Sequence, residues 1–375
     1  MDPLTHTLVG LCLGQGGWSD RSRFGTTALV LGANLPDVDA LSYLLVDSDT
    51  SLWIRRGWTH GIPALVVWPF ILVGVFWLWN RKFPRTGVGP GPAFDGSRLL
   101  WMSAVAIWSH PVLDWLNNYG MRWWMPFDGT WYYGDAVFIL DPWMWLVLGA
   151  AVGFGSMVSG SARALISLLA FLALGLVWLA VPGRLPWKAL WTVLCLAAAI
   201  AIRHGSRDPV GRRPARVALA TFVGYVSAML WVGHASEHSA RALALAQGIA
   251  VERILVGPTP ISPTFKDVVI ETATHYRFGT WRLDFPFTEP VLVLAAHAIP
   301  RLDENAAPST RRAWQSPSIR GFRNWARFPA VVVDRAGEQP MFRFFDVRYV
   351  RDGFSEGRGG FGSASVPTES EPTSP

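Results

Sequence analysis

The sequence predicts an all-α, polytopic membrane domain of about seven to eight apolar helices, some short or broken, with a small β-rich soluble domain C-terminal to it. Three observations carry this. Of the 375 residues 51% are hydrophobic and only 16% charged, with 21 tryptophans and a mean hydropathy of +0.26, a composition far from that of an ordinary soluble protein. Apolar segments recur along the first two thirds of the chain, and after about residue 234 they give way to alternating, strand-type stretches. The expected division is a membrane domain over 1–234, a β-rich extracytoplasmic domain over 235–352 and a disordered tail over 353–375.

The apolar segments fall at roughly 3–17, 24–46, 61–80, 99–118, 138–157, 164–181, 188–202 and 215–233. Several are shorter than the ~20 residues a straight crossing needs. The 24–46 segment is interrupted by Asn34, Pro36 and two aspartates, the pattern of a helix broken where its backbone lines a polar cavity. The start MDPLTHTLVG has no basic n-region, so it reads as a retained helix rather than a cleaved leader. The stretches 268–285, 328–334 and 341–350 read as strands, and from Gly353 onward Gly, Ser, Pro and Glu dominate without an apolar period.

Charge follows topology. Taking all eight segments as crossings puts Arg21, Arg23, Arg81, Lys82, Arg98, Arg203, Arg212, Arg213 and Arg216, among others, on one side, and only Arg55, Arg56, Arg122, Arg184 and Lys188 on the other. The positive-inside rule makes the first side cytoplasmic. His6, the 47–60 loop, the 110–137 region and the C-terminal domain then face outward from an inner, plasma-type membrane, with Trp53, Trp58, Trp115, Trp123, Trp124, Trp131 and Trp143 as an aromatic belt. The net charge of +6 and pI near 9.7 are explained by this distribution, and no nucleic-acid partner is expected.

Six metal-ligand-type side chains stand in this apolar setting: His6 in DPLTH, Asp37 and Asp39 in NLPDVD, His60 in RRGWTH, and His110 with Asp114 in SHPVLD. Ionisable groups near hydrocarbon are costly unless paired, ligated or functional. His110 and Asp114 lie four apart and project from one helix face, suited to chelating one ion. Cys12 and Cys195 both lie in apolar runs, so a site must be built from His and carboxylates, a donor set for zinc or another first-row divalent ion, one or two per chain. Asp37 and Asp39 are candidates to orient or deprotonate water, and Arg55 or Arg56 to hold a phosphate. Asp135, Asp141, His234 and His238 stay open as further ligands; GHASEH lacks the HExxH order, which disfavours a zincin-type protease.

Thr-His near the start, Gly-Ala-Asn-Leu-Pro-Asp-x-Asp at 32–39, Arg-Gly-x-Thr-His at 56–60 and Ser-His-Pro-x-Leu-Asp-x-x-Asn-x-Tyr-Gly at 109–120 together resemble the YdjM-like family of inner-membrane metal-dependent hydrolases. The resemblance covers residues 1–145 best. More remotely, the order His, Asp, His, HxxxD is similar to the zinc-dependent phospholipase C and P1-type nuclease group. That likeness implies one ion among Asp37 or Asp39, His60, His110 and Asp114, and a second shared by His6 and Asp114. The chain departs from that group in lacking a second His-x-x-x-Asp after His110 and a clear counterpart, at Met1, of its N-terminal ligand.

The expected activity is metal-dependent hydrolysis of a phosphoester, phospholipase C-like rather than proteolytic, on a membrane lipid or lipid-linked substrate at the outer water boundary. The alternatives are a transporter or ion-binding membrane protein using intramembrane carboxylates, and a sensory or structural protein in which the metal is a staple. A transporter predicts related halves, whereas here the polar motifs crowd into the first half. The substrate and the oligomeric state are not legible.

Overall fold

The computed structural model describes residues 1–84, 91–154, 160–181, 184–204, 212–284, 289–302, 306–335, 339–350 and 362–368, with the backbone alone at 160–167 and 204. Its first part is helical. Asp2 caps α1 (Pro3–Leu13) by accepting from the Thr5 amide. The run expected over 3–17 ends four residues early, in a π turn over Gly14–Trp18 where Gly17 takes φ 109°, a conformation a glycine adopts at little cost. Then come α2 (Gly25–Asn34), a 3₁₀ stretch (Leu35–Leu41), α3 (Ser42–Leu45) and α4 (Ser48–Ile54). The 24–46 segment thus breaks at Asn34, where Pro36 cannot continue an α-helical ladder.

Two long helices, α5 (Ile62–Lys82) and α6 (Gly96–Leu116), are followed by α7 (Pro142–Phe154), α8 (Gly160–Ala180), α9 (Leu185–His204) and α10 (Arg212–Ala246). Among the described residues, four spans are long and apolar enough to cross a membrane: Gly25–Leu45, Ile62–Lys82, Leu185–Arg203 and Arg212–Ala246. The seven to eight expected from composition are therefore not all of crossing type; α7, at 13 residues, is too short for ~30 Å of hydrocarbon. Phe70 of α5 and Leu179 of α8 are 61% and 90% exposed, as lipid-facing side chains are. Helices α1 and α2 meet at backbone distance: a Cβ on Gly10 would lie 2.8 Å from the Leu29 carbonyl oxygen, the small-residue contact of membrane helix pairs. Leu8, Cys12, Leu113, Leu148 and Phe222 join α1, α6, α7 and α10 in one core.

At 35 residues, α10 is about 50 Å long and runs through the boundary expected at 234. The reason is local: HSARALALA is strong helix-forming sequence, and Gly248, at φ 75°, ends it. The chain then builds a five-stranded antiparallel sheet, β1 (Arg253–Pro258), β2 (Phe265–Glu271), β3 (His275–Leu283) and β4 (Pro290–Leu294), with β5 (Ile299–Pro300) also on β3. The single run read over 268–285 is two strands. Two short helices, α11 (Pro308–Trp314) and α12 (Arg320–Trp325), precede a second antiparallel sheet of β6 (Pro329–Asp334), β7 (Met341–Asp346) and β8 (Ser363–Pro367).

The last strand lies inside the tail expected to be disordered. Backbone pairing with β7 and burial of Val366 beside Phe342 order it, a gain that five residues of low hydropathy do not advertise. Residues 353–361 and 369–375 of that tail lie outside the described residues. The β-rich half sits on the end of the bundle where α6 stops: Trp325 donates to the Tyr119 carbonyl at 3.1 Å and Arg348 to the Asn118 carbonyl at 2.8 Å.

Candidate metal centre

The site forms where α2 ends, α5 begins and α6 ends. Asp37 and Asp39 lie on the 3₁₀ stretch released by Pro36. His110 and Asp114 lie one turn apart on α6, and His60 stands just ahead of α5. One ligand atom each from Asp37, His60, His110 and Asp114 falls within 4.8 Å of the others. His60 Nε2 lies 3.1 Å from His110 Nε2, 3.4 Å from Asp114 Oδ2 and 3.8 Å from Asp37 Oδ1. His110 Nε2 is 3.5 Å from Asp114 Oδ2 and 3.8 Å from Asp37 Oδ1. His60, His110 and Asp114 are fully buried, whereas the Asp37 side chain is 15% exposed.

The second ring nitrogens settle the proton positions. His110 Nδ1 lies 2.6 Å from the Ala33 carbonyl oxygen, which only accepts, so Nδ1 carries the hydrogen. The Asp39 carboxylate accepts from the Thr59 hydroxyl at 2.8 Å and lies 3.2 Å from His60 Nδ1, so this nitrogen is also a donor. With both imidazoles neutral, the two Nε2 atoms present lone pairs to each other and to two carboxylates. Acceptors converging without a proton between them repel unless a cation sits among them, and a carboxylate or carbonyl behind each imidazole is the usual second layer of a metal site. The residues present therefore fit a divalent ion.

Asp39, expected among the ligands, stands behind His60 instead, ion-paired with Arg55 and accepting from the Arg56 amide at 2.8 Å. His6 also stands outside the four. Its ring stacks on His110 with centroids 3.8 Å apart, Nε2 is 3.5 Å from Asp114 Oδ1, and neither nitrogen has a hydrogen-bond partner. The buried Met1 amine pairs with Asp114 Oδ1, a place for Met1 that the motifs did not suggest.

Arg56 is buried, not presented to solvent. Its Nε lies 2.9 Å from Asp114 Oδ2 and its Nη1 donates to the Gly120 carbonyl at 2.7 Å. It does so at φ 51°, a left-handed conformation costing about 1–2 kcal/mol outside glycine, offset by these contacts. Arg55 reaches Asp37 at 3.0 Å and is 11% exposed.

Sequence reasoning missed the supports. Arg122 donates at 2.6 and 2.7 Å to the Trp53 and Arg55 carbonyls. Asn117 Oδ1 accepts from the Tyr119 amide at 2.8 Å and from Arg56 at 3.3 Å. The NNYG that follows HPVLDWL was the available signal. Asp135 pairs with Arg327 at 2.7 Å, Asp141 caps α7 and accepts from Tyr225, and His234 faces His238 at 3.2 Å; none of these is in the cluster.

The model of the YdjM inner membrane protein family matches residues 1–184. Among curated proteins the chain is similar to an uncharacterized protein, YfhP, of Bacillus subtilis (strain 168), with 26% identity over 162 residues, 40% of this chain and 45% of that one. The match thus spans less than half of the relative's length. No solved structure matches the chain. All four clustered residues and their supports up to Arg122 fall inside residues 1–184, the stretch that is similar to the YdjM inner membrane protein family.

Proposed function

We propose that the chain is a membrane-bound, metal-dependent hydrolase acting on a phosphoester, in a lipid or lipid-linked substrate, at the outer water boundary of the plasma membrane. The observation that carries this reading is the convergence of the His60 and His110 Nε2 atoms, 3.1 Å apart, with a carboxylate oxygen each from Asp37 and Asp114. Two imidazoles and two carboxylates are a zinc-type donor set.

When bound, such an ion supplies Lewis acidity and lowers the pKa of water. His60 and His110 present ring nitrogens in a fixed tautomer, and Asp39 and the Ala33 carbonyl hold them there. Asp37, the most exposed of the four, is the group placed to accept a proton from an incoming water. Arg55, beside it, offers a partly exposed guanidinium to an anionic substrate. Arg56 is spent on Asp114 and neutralises it inside the bundle, so its role is to hold a ligand in place. His6 with Asp114 is where a second ion would bind.

The test is elemental analysis of detergent-purified protein at equal folded yield. The expected result is one to two zinc or manganese ions per chain, lost in His110→Ala and in Asp114→Asn, together with turnover of a chromogenic phosphodiester that follows metal content. A wild type free of metal after growth in added zinc overturns the reading.

A further inference from the structure

Between the helix ends and the first sheet lies a cavity of about 350 Å³ that no step above uses, within the range of roughly 300–1,000 Å³ of small-ligand sites. Its lower wall is the end of α8, with Leu176 and Val177, and the start of α7 at Pro142; its upper wall is the face of β2 and β3 carrying Phe265, Asp267 and Phe278. On α8, Leu172 and Leu179 are 55% and 90% exposed, so the apolar wall continues the surface that faces hydrocarbon.

The polar end is equally definite. Arg184, ahead of α9, is held at φ 58°, a left-handed conformation rare for a side-chain-bearing residue, and its guanidinium lies 3.7 Å over the Phe265 ring. Strain of this kind persists only where the surroundings over-determine it. Arg184 and Asp267 place opposite charges on one cavity; Arg348, which also lines it, is neutralised by its ion pair with Asp346 at 2.9 Å, and the remaining walls are mostly apolar.

We propose that this cavity binds a zwitterionic bilayer phospholipid, one chain entering along Leu176 and the phosphate and ammonium of its head meeting Arg184 and Asp267. The site lies at the level of the helix ends, where headgroups lie. It docks the β-rich half onto the membrane surface through lipid as well as through protein contacts.

Native mass spectrometry of the full chain, released from detergent after incubation with equal amounts of phosphatidylethanolamine and phosphatidylglycerol, tests this. Retention of phosphatidylethanolamine in preference is expected. It should fall at least several-fold in Leu176→Trp, which fills the cavity from a half-exposed position, and in Arg184→Gln, with metal content unchanged. If Leu176→Trp fails to fold, Thr280→Phe fills the same space from β3. Retention indifferent to the filling variants, or equal for the two lipids, overturns the proposal.

Discussion

Asp39 lies outside the convergence of ligand atoms, yet it sets which nitrogen of His60 faces that point. Losing such a second-layer carboxylate costs metal sites roughly 10–100-fold in affinity. Asp39→Asn is expected to weaken zinc binding by that factor while leaving the stoichiometry intact, in a competition titration against a chromophoric chelator. Unchanged affinity would show that Asp39 does not orient His60 toward the ion. The motifs showed His60, His110 and Asp114 because each stands in a short local string, RRGWTH or SHPVLD. They could not separate Asp37 from Asp39, since that depends on which way the 3₁₀ turn rotates each carboxylate, nor show Arg122, whose carbonyl partners lie 67 and 69 residues away. A second residue makes a pH prediction. Burial pushes the Lys266 ammonium down to about 8 from 10.5, against the opposing charges of Asp141 and Asp135. The folded state thus releases its proton first, so between pH 8 and 10.5 the unfolded chain holds more protons and stability rises with pH. Below pH 8 the full cost is present, on the order of 3 kcal/mol at most. Lys266→Met is expected to raise the unfolding temperature at pH 7, with a benefit that shrinks above pH 8; a pH-independent benefit would mean that packing, not charge, is responsible.

At the scale of elements, the helices that carry the candidate metal cluster and the β-rich half are joined through α4. The Asp49 carboxylate accepts from the Gly321 and Phe322 amides at 2.8 Å each, capping α12 from a helix some 270 residues away. Gly321 is required by this approach: a Cβ there would lie 2.9 Å from the Trp53 amide nitrogen and 3.0 Å from the Asp49 carbonyl carbon. Asp49→Ala should cost about 1 kcal/mol, the usual worth of a cap, and Gly321→Ala about 1–3 kcal/mol of overpacking. Because the two share one contact, the double variant should lose less than the sum. Thermal unfolding of the three variants in detergent checks this, and a strictly additive result would show that the two positions are uncoupled. Such a junction is invisible in hydropathy. The pattern showed that α2 breaks at Pro36 and that strands follow α10, since proline and alternation are local signals. The apolar run over 215–233 stops short of the end of α10 at Ala246 because loss of apolar character is not loss of helix, and the tail read as disorder contains β8 because SASVP is ordered only by its partner β7.

At the scale of the whole molecule, two asymmetries coincide. The metal cluster, α3 and α4, the 117–137 segment and both sheets lie at one end of the bundle. The opposite end gathers cations that are paired within it: Arg23 donates to Asn80 at 2.8 Å, Arg212 to Asp20 at 2.6 Å and Arg216 to the Gly16 carbonyl at 2.8 Å. The positive-inside rule concerns such short loops near helix ends, and on that rule we propose that the cation-rich end faces the cytoplasm. In the orientation we propose, the cluster and the β-rich half would face outward, where a phospholipid head and water would both be available to Asp37 and Arg55. The expectation is tested by single cysteines at exposed positions in a chain with Cys12 and Cys195 replaced by alanine. Ser318→Cys, ahead of α12, should react with a membrane-impermeant maleimide in intact cells, and Lys82→Cys, at the end of α5, only after the membrane is permeabilised. The reverse pattern would put the metal cluster on the cytoplasmic face. It would replace an external lipid or lipid-linked phosphoester by an inner-leaflet one, and it would leave the chemistry of the four ligands as derived, because that rests on distances within the bundle and not on which side of the membrane they face.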